Sequence, residues 1–378
     1  MNFQLNEEQQ FVIKTVRDFA QREVKPMAAE IDENHRFPHE TVAKMAEMGM
    51  LGIPFPKEYG GAGGDYLSYY LTVEELAKAC ASTAVICSAH TSLVTWPIYN
   101  FGTETQKQKY LPEMTSGKKL GAFCLTEPNA GTDSAKQETR AVLDGDEYVL
   151  NGIKTFITNG GVADVFLVFA MTDRTKKNKG ISAFIVEKDD PGFYVGRNER
   201  KMGICASSTV SLTFKNCRIP KDRLIGREGQ GFKIAMMTLD GGRIGIAAQS
   251  LGIAEAAFDE ALNYLKTRKQ FGGPLTRQQA LQFGMAELKT EIEATRALIY
   301  MAIDLKERCL PYSEYASMCK LKAAETAMHV TTKAVQYMAG YGYSKDYPVE
   351  RMMRDAKVTE IYEGTSEVQK LVISSKFI

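Results

Sequence analysis

Several common signatures are missing from this sequence, and each absence excludes a class of function. No GxGxxG joins a strand to a helix, so the dinucleotide fingerprint is lacking; Gly226-Arg-Glu-Gly-Gln-Gly231 has another spacing. There is no Walker A motif, no serine in a GxSxG elbow and no Cys-His pairing of the kind a thiol protease needs. The seven cysteines never form CxxC and their number is odd, which reads as reduced, mostly buried thiols. There are four histidines. Of these, His35 and His39 are four apart, but Pro38 interrupts that register and no third ligand is near, so no metal site is expected. The 47 basic and 46 acidic residues nearly cancel, leaving no bulk attraction to nucleic acid or an anionic membrane. No run approaches about 18 uninterrupted apolar residues, so no membrane insertion is expected. The first ten residues lack a basic region followed by an apolar run. The expectation is a soluble, cytoplasmic protein.

What is present is a large apolar budget: 44% hydrophobic residues in 378, beyond the size at which one core stays undivided. Residues 6–34 read as an amphipathic helix capped by Asn6, and Pro38 opens a second helix to about Met50. Pro54, Pro56 and Tyr59-Gly-Gly-Ala-Gly-Gly64 mark a loop. Helical segments at about 66–83 and 85–100 follow, then a capping box at Thr103 and Gln106. Around Gly121 the period changes. Glu147–Leu150, Val165–Phe169, Ile181–Val186 and Val210–Phe214 are short β-branched or aromatic runs separated by turn signals. No helical pattern separates them, so an antiparallel sheet or small barrel is expected. From Gly231 helices return: one over about 243–267, one carrying Leu281, Met285, Leu288, Ile292, Thr295, Ile299 and Ala302 in steps of four and three, and one over about 313–339. The predicted class is α+β. A helical N-terminal domain (1–120) precedes a middle antiparallel β domain (121–230) and a C-terminal four-helix bundle (231–378).

Three stretches can carry chemistry. Gly121-Ala-Phe-Cys-Leu-Thr-Glu-Pro-Asn-Ala-Gly-Thr-Asp-Ser134 runs from an apolar segment into a turn dense in hydroxyls and backbone donors, suited to a polar heterocycle or a phosphate. Lys154-Thr-Phe-Ile-Thr-Asn-Gly160 sets an aromatic two residues before a threonine, which suits ring packing with hydrogen bonding. Lys357-Val-Thr-Glu-Ile-Tyr-Glu-Gly-Thr-Ser-Glu-Val-Gln369 places Glu363 beside the turn-permitting Gly364, just before a helix start capped by Ser366 and Gln369. A carboxylate on such a rim can act as a general base near an anionic ligand.

Taken together, these stretches resemble the acyl-CoA dehydrogenases over essentially the whole chain. Leu125–Asp133 looks like the family's first signature. Gln336-Tyr-Met-Ala-Gly-Tyr-Gly342, Arg354-Asp-Ala-Lys357 and Tyr362-Glu-Gly-Thr365 look like its second. The resemblance implies FAD, bound without a Rossmann domain, with Phe123, Leu125, Thr126, Gly131, Thr132, Phe156, Ile157 and Thr158 along the flavin. Many relatives have tryptophan where this chain has Phe156. It further implies that Arg268, Gln270, Phe271, Gln279, Gln336 and Gly340 reach the FAD of an adjacent subunit, and that Thr365 and Glu367 meet the cofactor's pyrophosphate and adenosine half. Thr132, Asp240, Arg243, Tyr362 and Gly364 are implied as acyl-CoA contacts.

In the chemistry the resemblance implies, Glu363 removes the α-proton of a thioester while a β-hydride passes to the flavin. The Glu363 N–H and a ribityl hydroxyl would polarise the thioester oxygen. One branch of the family carries its base on the helix of Asp240–Arg243, where this chain has Gly242, which favours Glu363. The Leu239–Gln249 run looks most like the short-chain, butyryl-CoA branch. Ser88-Ala-His-Thr-Ser92 has no arginine for a second carboxylate, which counts against a glutaryl-type substrate. The resemblance also implies an electron-transfer flavoprotein as acceptor, a homotetramer built as a dimer of dimers, and a place in fatty acid metabolism. Competing readings are a medium- or branched-chain dehydrogenase, an acyl-CoA oxidase, and a non-enzymatic scaffold on a retired dehydrogenase fold.

Overall fold

Short polar caps and prolines decide where the N-terminal helices begin and break. The structure, a computed structural model, describes residues 4–378. The Asn6 side chain accepts from the Gln9 amide at 2.8 Å, and the Gln9 side chain accepts from the Asn6 amide at 3.0 Å. This box opens α1 (Glu7–Phe19). The single helix expected over 6–34 is interrupted by a π turn at Ala20–Val24 and a 3-10 turn at Lys25–Met27 before α2 (Ala28–Glu33). Pro26 is the physical cause, since it offers no N–H to an α-helical ladder. Then come α3 (His39–Glu47), α4 (Tyr66–Ala79) and α5 (Ala81–Ser88). A π segment, Ala89–Thr95, leads into α6 (Trp96–Phe101), and the expected Thr103–Gln106 box opens α7 (Glu104–Thr115).

The middle of the chain forms one eight-stranded sheet. Its strands are β1 (Gly121–Cys124), β2 (Arg140–Asp144), β3 (Glu147–Thr158), β4 (Val165–Met171), β5 (Ile181–Glu187), β6 (Phe193–Asn198), β7 (Thr209–Pro220) and β8 (Leu224–Ile225). The order is β6-β7-β3-β2-β4-β5-β8, with β1 beside β4. The sheet is mixed rather than purely antiparallel, because β1 and β2 both pair parallel to β4. A long connection (residues 125–139) separates β1 from β2, and so no hairpin forces β1 antiparallel. Every residue of β4 is buried. Val165, Leu167 and Phe169 face the core shared with α6, α7 and the π segment, while Phe166, Val168 and Ala170 face a second core. Burial on both sides explains the uninterrupted apolar run.

The next helix, α8 (Gly231–Thr267), begins twelve residues earlier than the sequence pattern implied. A two-stranded ribbon, β9 (Lys269–Gln270) and β10 (Gly273–Pro274), leads to α9 (Gln279–Glu307), α10 (Ser313–Met338), α11 (Val349–Thr359) and α12 (Ser366–Ser374). The three-four pattern of α9 holds: Met285, Leu288, Ile292, Thr295, Ile299 and Ala302 are buried. One large core joins α8–α11 to α1–α5. Among the described residues no helix is long and apolar enough to cross a membrane.

The loop after β1 is pinned by a buried ion pair. Lys154 Nζ donates to Glu127 Oε1 at 2.8 Å, Gln137 Oε1 at 3.0 Å and the Leu125 carbonyl at 3.0 Å. Glu127 also accepts from the backbone amides of Glu138 and Thr139. Burial opposes both charges; it holds Lys154 below the usual lysine range, whereas Lys154 and the amides still keep Glu127 below the usual carboxylate range. Lys154→Met strands the Glu127 carboxylate and should cost about 3–5 kcal/mol, seen as a lower urea midpoint. Adding Glu127→Gln should return much of the loss. An unchanged midpoint in the single variant contradicts the assignment.

Candidate active site

Glu363 sits in a turn between α11 and α12 that two successive left-handed residues create, Glu363 at φ 54° and Gly364 at φ 96°. Glycine adopts this region freely, but for glutamate it costs on the order of 1–3 kcal/mol. The surroundings hold it there. The Gly364 carbonyl accepts from Lys320 Nζ at 2.7 Å and from Gln369 Nε2 at 2.9 Å, and Gln369 also reaches the Glu363 carbonyl at 3.3 Å. The preceding Tyr362 donates its hydroxyl to Gln249 Oε1 on α8 at 2.5 Å. The cap of α12 is Thr365, whose Oγ1 accepts from the Val368 amide at 3.4 Å; Ser366 lies inside the helix. The expected Ser366–Gln369 box therefore does not form, because Gln369 is drawn back to the two turn carbonyls.

The carboxylate is aimed at α8. A Cβ at Gly242 would collide with Glu363 Oε2 and with Leu93 of the π segment, so only glycine leaves room for the acid. Oε2 is buried and has no hydrogen-bond partner in the chain. Among the described residues no acceptor meets the Glu363 N–H either. Burial raises the acid to about 7, against the opposing fields of Lys320 and Arg243. One turn thus presents a desolvated carboxylate and an unused amide side by side.

The flanking residues gather on α8 and α10. Arg243 Nη1 donates to Asp240 Oδ1 at 2.8 Å and Ser317 Oγ at 3.3 Å, while its buried Nε is left without a partner. Ser313 Oγ donates to the same Asp240 oxygen at 3.0 Å. Arg243 is a buried charge with a partner, as the apolar helix around it required.

The remaining predicted positions fall into two groups. Phe123 and Thr126 are partly buried, Leu125 is buried, and Gly131 and Thr132 are exposed after β1. The Thr126 carbonyl accepts from the Thr155 amide at 2.9 Å, which lays this loop against β3. There Phe156 is 66% exposed at φ 57°, where the β3–β7 register shifts between Lys154 and Ile157. Thr158 lies on the same edge, whereas the Ile157 side chain is buried in the sheet core and leaves only its peptide group available. The register shift moves the inward-facing set from Tyr148, Leu150 and Lys154 to Thr155 and Ile157. The second group lies at the far ends of α8 and α10. Arg268, Gln270 and Gly340 line a cavity of about 940 Å³ with Tyr264, Tyr337 and Tyr341. Phe271 beside it is 91% exposed at φ 51°, and Gln279 and Gln336 are exposed. No residue of the first group lines that cavity. Thr365 and Glu367 stand at the α12 start.

Both groups fit a long, partly aromatic cofactor. Phe156 offers an uncovered ring on backbone held against its preference, and Gly340 leaves open space where a Cβ would stand. The sequence pattern had not singled out Lys320, Gln249 or His90. The His90 Nδ1 accepts from the Gly121 amide at 3.0 Å and its Nε2 donates to the Met114 carbonyl at 2.9 Å, locking the start of β1 to the helices. Burial pushes that imidazole down to about 4, so it remains neutral. A lone histidine without a motif carries no readable signal in sequence.

An acid raised above its ordinary value stabilises the fold at low pH, and that contribution is lost as pH climbs from about 4.5 through about 7. Glu363→Gln should therefore unfold at higher denaturant than the native protein above pH 7, by up to about 3 kcal/mol, and match it below about pH 5. Equal differences at both pH values contradict a desolvated carboxylate.

Comparison with known proteins agrees with this geometry. The chain matches the descriptions "Acyl-CoA dehydrogenase, N-terminal domain" over residues 6–118, "middle domain" over 122–217 and "C-terminal domain" over 229–377. It is 63% identical over 376 residues to a short-chain specific acyl-CoA dehydrogenase of Clostridium acetobutylicum, covering 100% of this chain and 99% of that one. The structure of butyryl-CoA dehydrogenase from Megasphaera elsdenii superposes with a TM-score of 0.98 at 50% identity, covering 100% and 99%. A chain from work on the electron transferring flavoprotein of Acidaminococcus fermentans gives 0.99 at 53% identity, with full coverage of both. The chain belongs to the acyl-CoA dehydrogenase family.

Proposed function

We propose that this chain oxidises short-chain acyl-CoA thioesters, butyryl-CoA to crotonyl-CoA, with FAD as cofactor and an electron-transfer flavoprotein as acceptor. The observation that carries the reading is the desolvated Glu363 carboxylate, unpartnered and raised to about 7, beside its own unused N–H. A base near the working pH is both available and strong. Glu363 takes the α-proton at Oε2, the oxygen facing Gly242. The Glu363 N–H donates to the thioester oxygen, a bond that strengthens as enolate charge develops there. Arg243 and Asp240 orient the CoA portion, Tyr362 and Gly364 shape the turn against the thioester, and Thr132 closes the other side. When bound, FAD supplies the two-electron acceptor for the hydride leaving the β-carbon. Phe123, Leu125, Thr126, Gly131, Phe156, the Ile157 peptide and Thr158 hold it in one subunit, with Thr365 and Glu367 toward its phosphates. Arg268, Gln270, Phe271, Gln279, Gln336 and Gly340 hold the FAD of a neighbouring subunit.

That division is consistent with the two separate groups in one chain; it requires at least a dimer, and the family resemblance extends the proposal to a homotetramer of paired dimers. The boundaries 1–120, 121–230 and 231–378 mark its domains, and a cytoplasmic location fits the reduced thiols. Short acyl chains fit the bulk on this side of α8, where the buried Tyr70 ring lies against Gly241 and Gly245 and its hydroxyl donates to the Gly241 carbonyl at 3.0 Å.

Anaerobic mixing with butyryl-CoA should bleach the flavin of the holoenzyme, and Glu363→Gln should slow this by about 10²–10⁴-fold with FAD still bound. Bleaching as fast as native removes Glu363 as the base. Across C4 to C8 substrates, kcat/KM should fall by about tenfold or more per pair of methylenes added; a profile that rises toward C8 overturns the short-chain reading.

A further inference from the structure

Lys320 has an unusual environment for a lysine. Its side chain on α10 is fully buried, yet among the described residues its ammonium makes no ion pair and one hydrogen bond, to the Gly364 carbonyl at 2.7 Å. A buried ammonium is costly to desolvate, so a role in packing alone would be served better by methionine or leucine. The bond it makes is to the turn that carries Glu363. Gly364 follows the acid directly, and the orientation of its carbonyl sets how the chain leaves the left-handed pair. Gln369 holds the same carbonyl from α12 at 2.9 Å, so one neutral and one charged donor clamp a single oxygen from two helices.

We infer that Lys320 is a positioning residue for the base, fixing the Glu363–Gly364 turn through the Gly364 carbonyl while its charge keeps the Glu363 carboxylate ionisable in a dry site. The charged and titratable groups facing Glu363 are Lys320 from α10, Arg243 from α8, Tyr362 from the turn itself and Tyr69 from α4. Around Lys320 stand Glu363, Arg243, Glu360 and Glu367. Arg243 is already committed to Asp240, which leaves Lys320 as the cation without a carboxylate bonded to it. Burial depresses that ammonium to about 8, against the field of Glu363, so it is charged where the acid begins to ionise. Glu363 therefore titrates beside a cation rather than in a purely apolar pocket, and the two donors on the Gly364 carbonyl keep its N–H aimed at the substrate.

This inference rests on Glu363 being the base, and the test separates the two. Stopped-flow bleaching of the FAD-loaded enzyme by butyryl-CoA is followed across the neutral pH range in Lys320→Met, Lys320→Arg and Gln369→Leu, with FAD content read from absorbance. Lys320→Met should shift the ionisation that limits bleaching upward by about 0.5–1 pH unit and lower the limiting rate by about tenfold or more. Butyryl-CoA half-saturation should stay within about twofold of native. Lys320→Arg should restore the native midpoint. Gln369→Leu removes the neutral tether alone, so the rate should fall with the midpoint unmoved. A native midpoint in Lys320→Met overturns the inference, as does a shift in Gln369→Leu as large as that in the methionine variant. Should Lys320→Met not yield folded protein, Lys320→Gln carries the same midpoint test. Native-speed bleaching in Glu363→Gln instead removes the base assignment and leaves the role of Lys320 as a turn clamp without its substrate.

Discussion

The packing of one carboxylate against one glycine is the constraint on which the site depends. Glu363 reaches α8 because Gly242 has no side chain, and it arrives from a turn whose backbone two donors hold in the left-handed region. Add a Cβ at position 242 and the acid has no place; release the Gly364 carbonyl and the turn relaxes toward conformations a glutamate prefers. The helices are arranged around this meeting. α8 supplies the glycine and Arg243, α10 supplies Lys320 and Ser317, and α12 supplies Gln369.

Electrostatics turns that packing into chemistry. An exposed glutamate would be a weak base at neutral pH, and an isolated buried one would stay protonated. Here burial raises the acid while Lys320 and Arg243 hold it down, leaving it near neutrality. The backbone strain at Glu363 has a comparable use, because the same φ leaves its amide without an internal acceptor. Elsewhere, the buried Lys154–Glu127 pair secures the loop after β1 through the Leu125 carbonyl and the Glu138 and Thr139 amides.

Much of this fold can be read from local patterns, and the exceptions have physical causes. Helix periodicity located α9 and α10 because one face of each packs on the core. The early start of α8 was hidden because Asp240-Gly241-Gly242 interrupts the pattern with two weak helix formers between an apolar first segment and the longer run after Arg243. The parallel pairing of β1 and β2 with β4 depends on a contact between segments far apart in sequence. At the site, Glu363, Gly364, Gly242 and Arg243 stood out through their motifs. Lys320 and Gln249 did not, since a lysine and a glutamine within helices look like solvated surface until the packing shows them buried. Which group of Ile157 faces outward was not legible, because the β3–β7 register shift and the positive φ at Phe156 reset the alternation and turn its side chain into the sheet core. Ser366 was mistaken for the cap because Gln369 has better acceptors than the helix end.

The central claim is that Glu363 is a desolvated acid tuned to neutrality by its two neighbouring cations. Infrared difference spectroscopy of the carboxyl region, native minus Glu363→Gln, titrates that group directly in the holoenzyme without substrate. The account predicts a protonated carboxyl band that disappears with a midpoint near 7. A midpoint near 4.5, the ordinary value for a solvated glutamate, would contradict it.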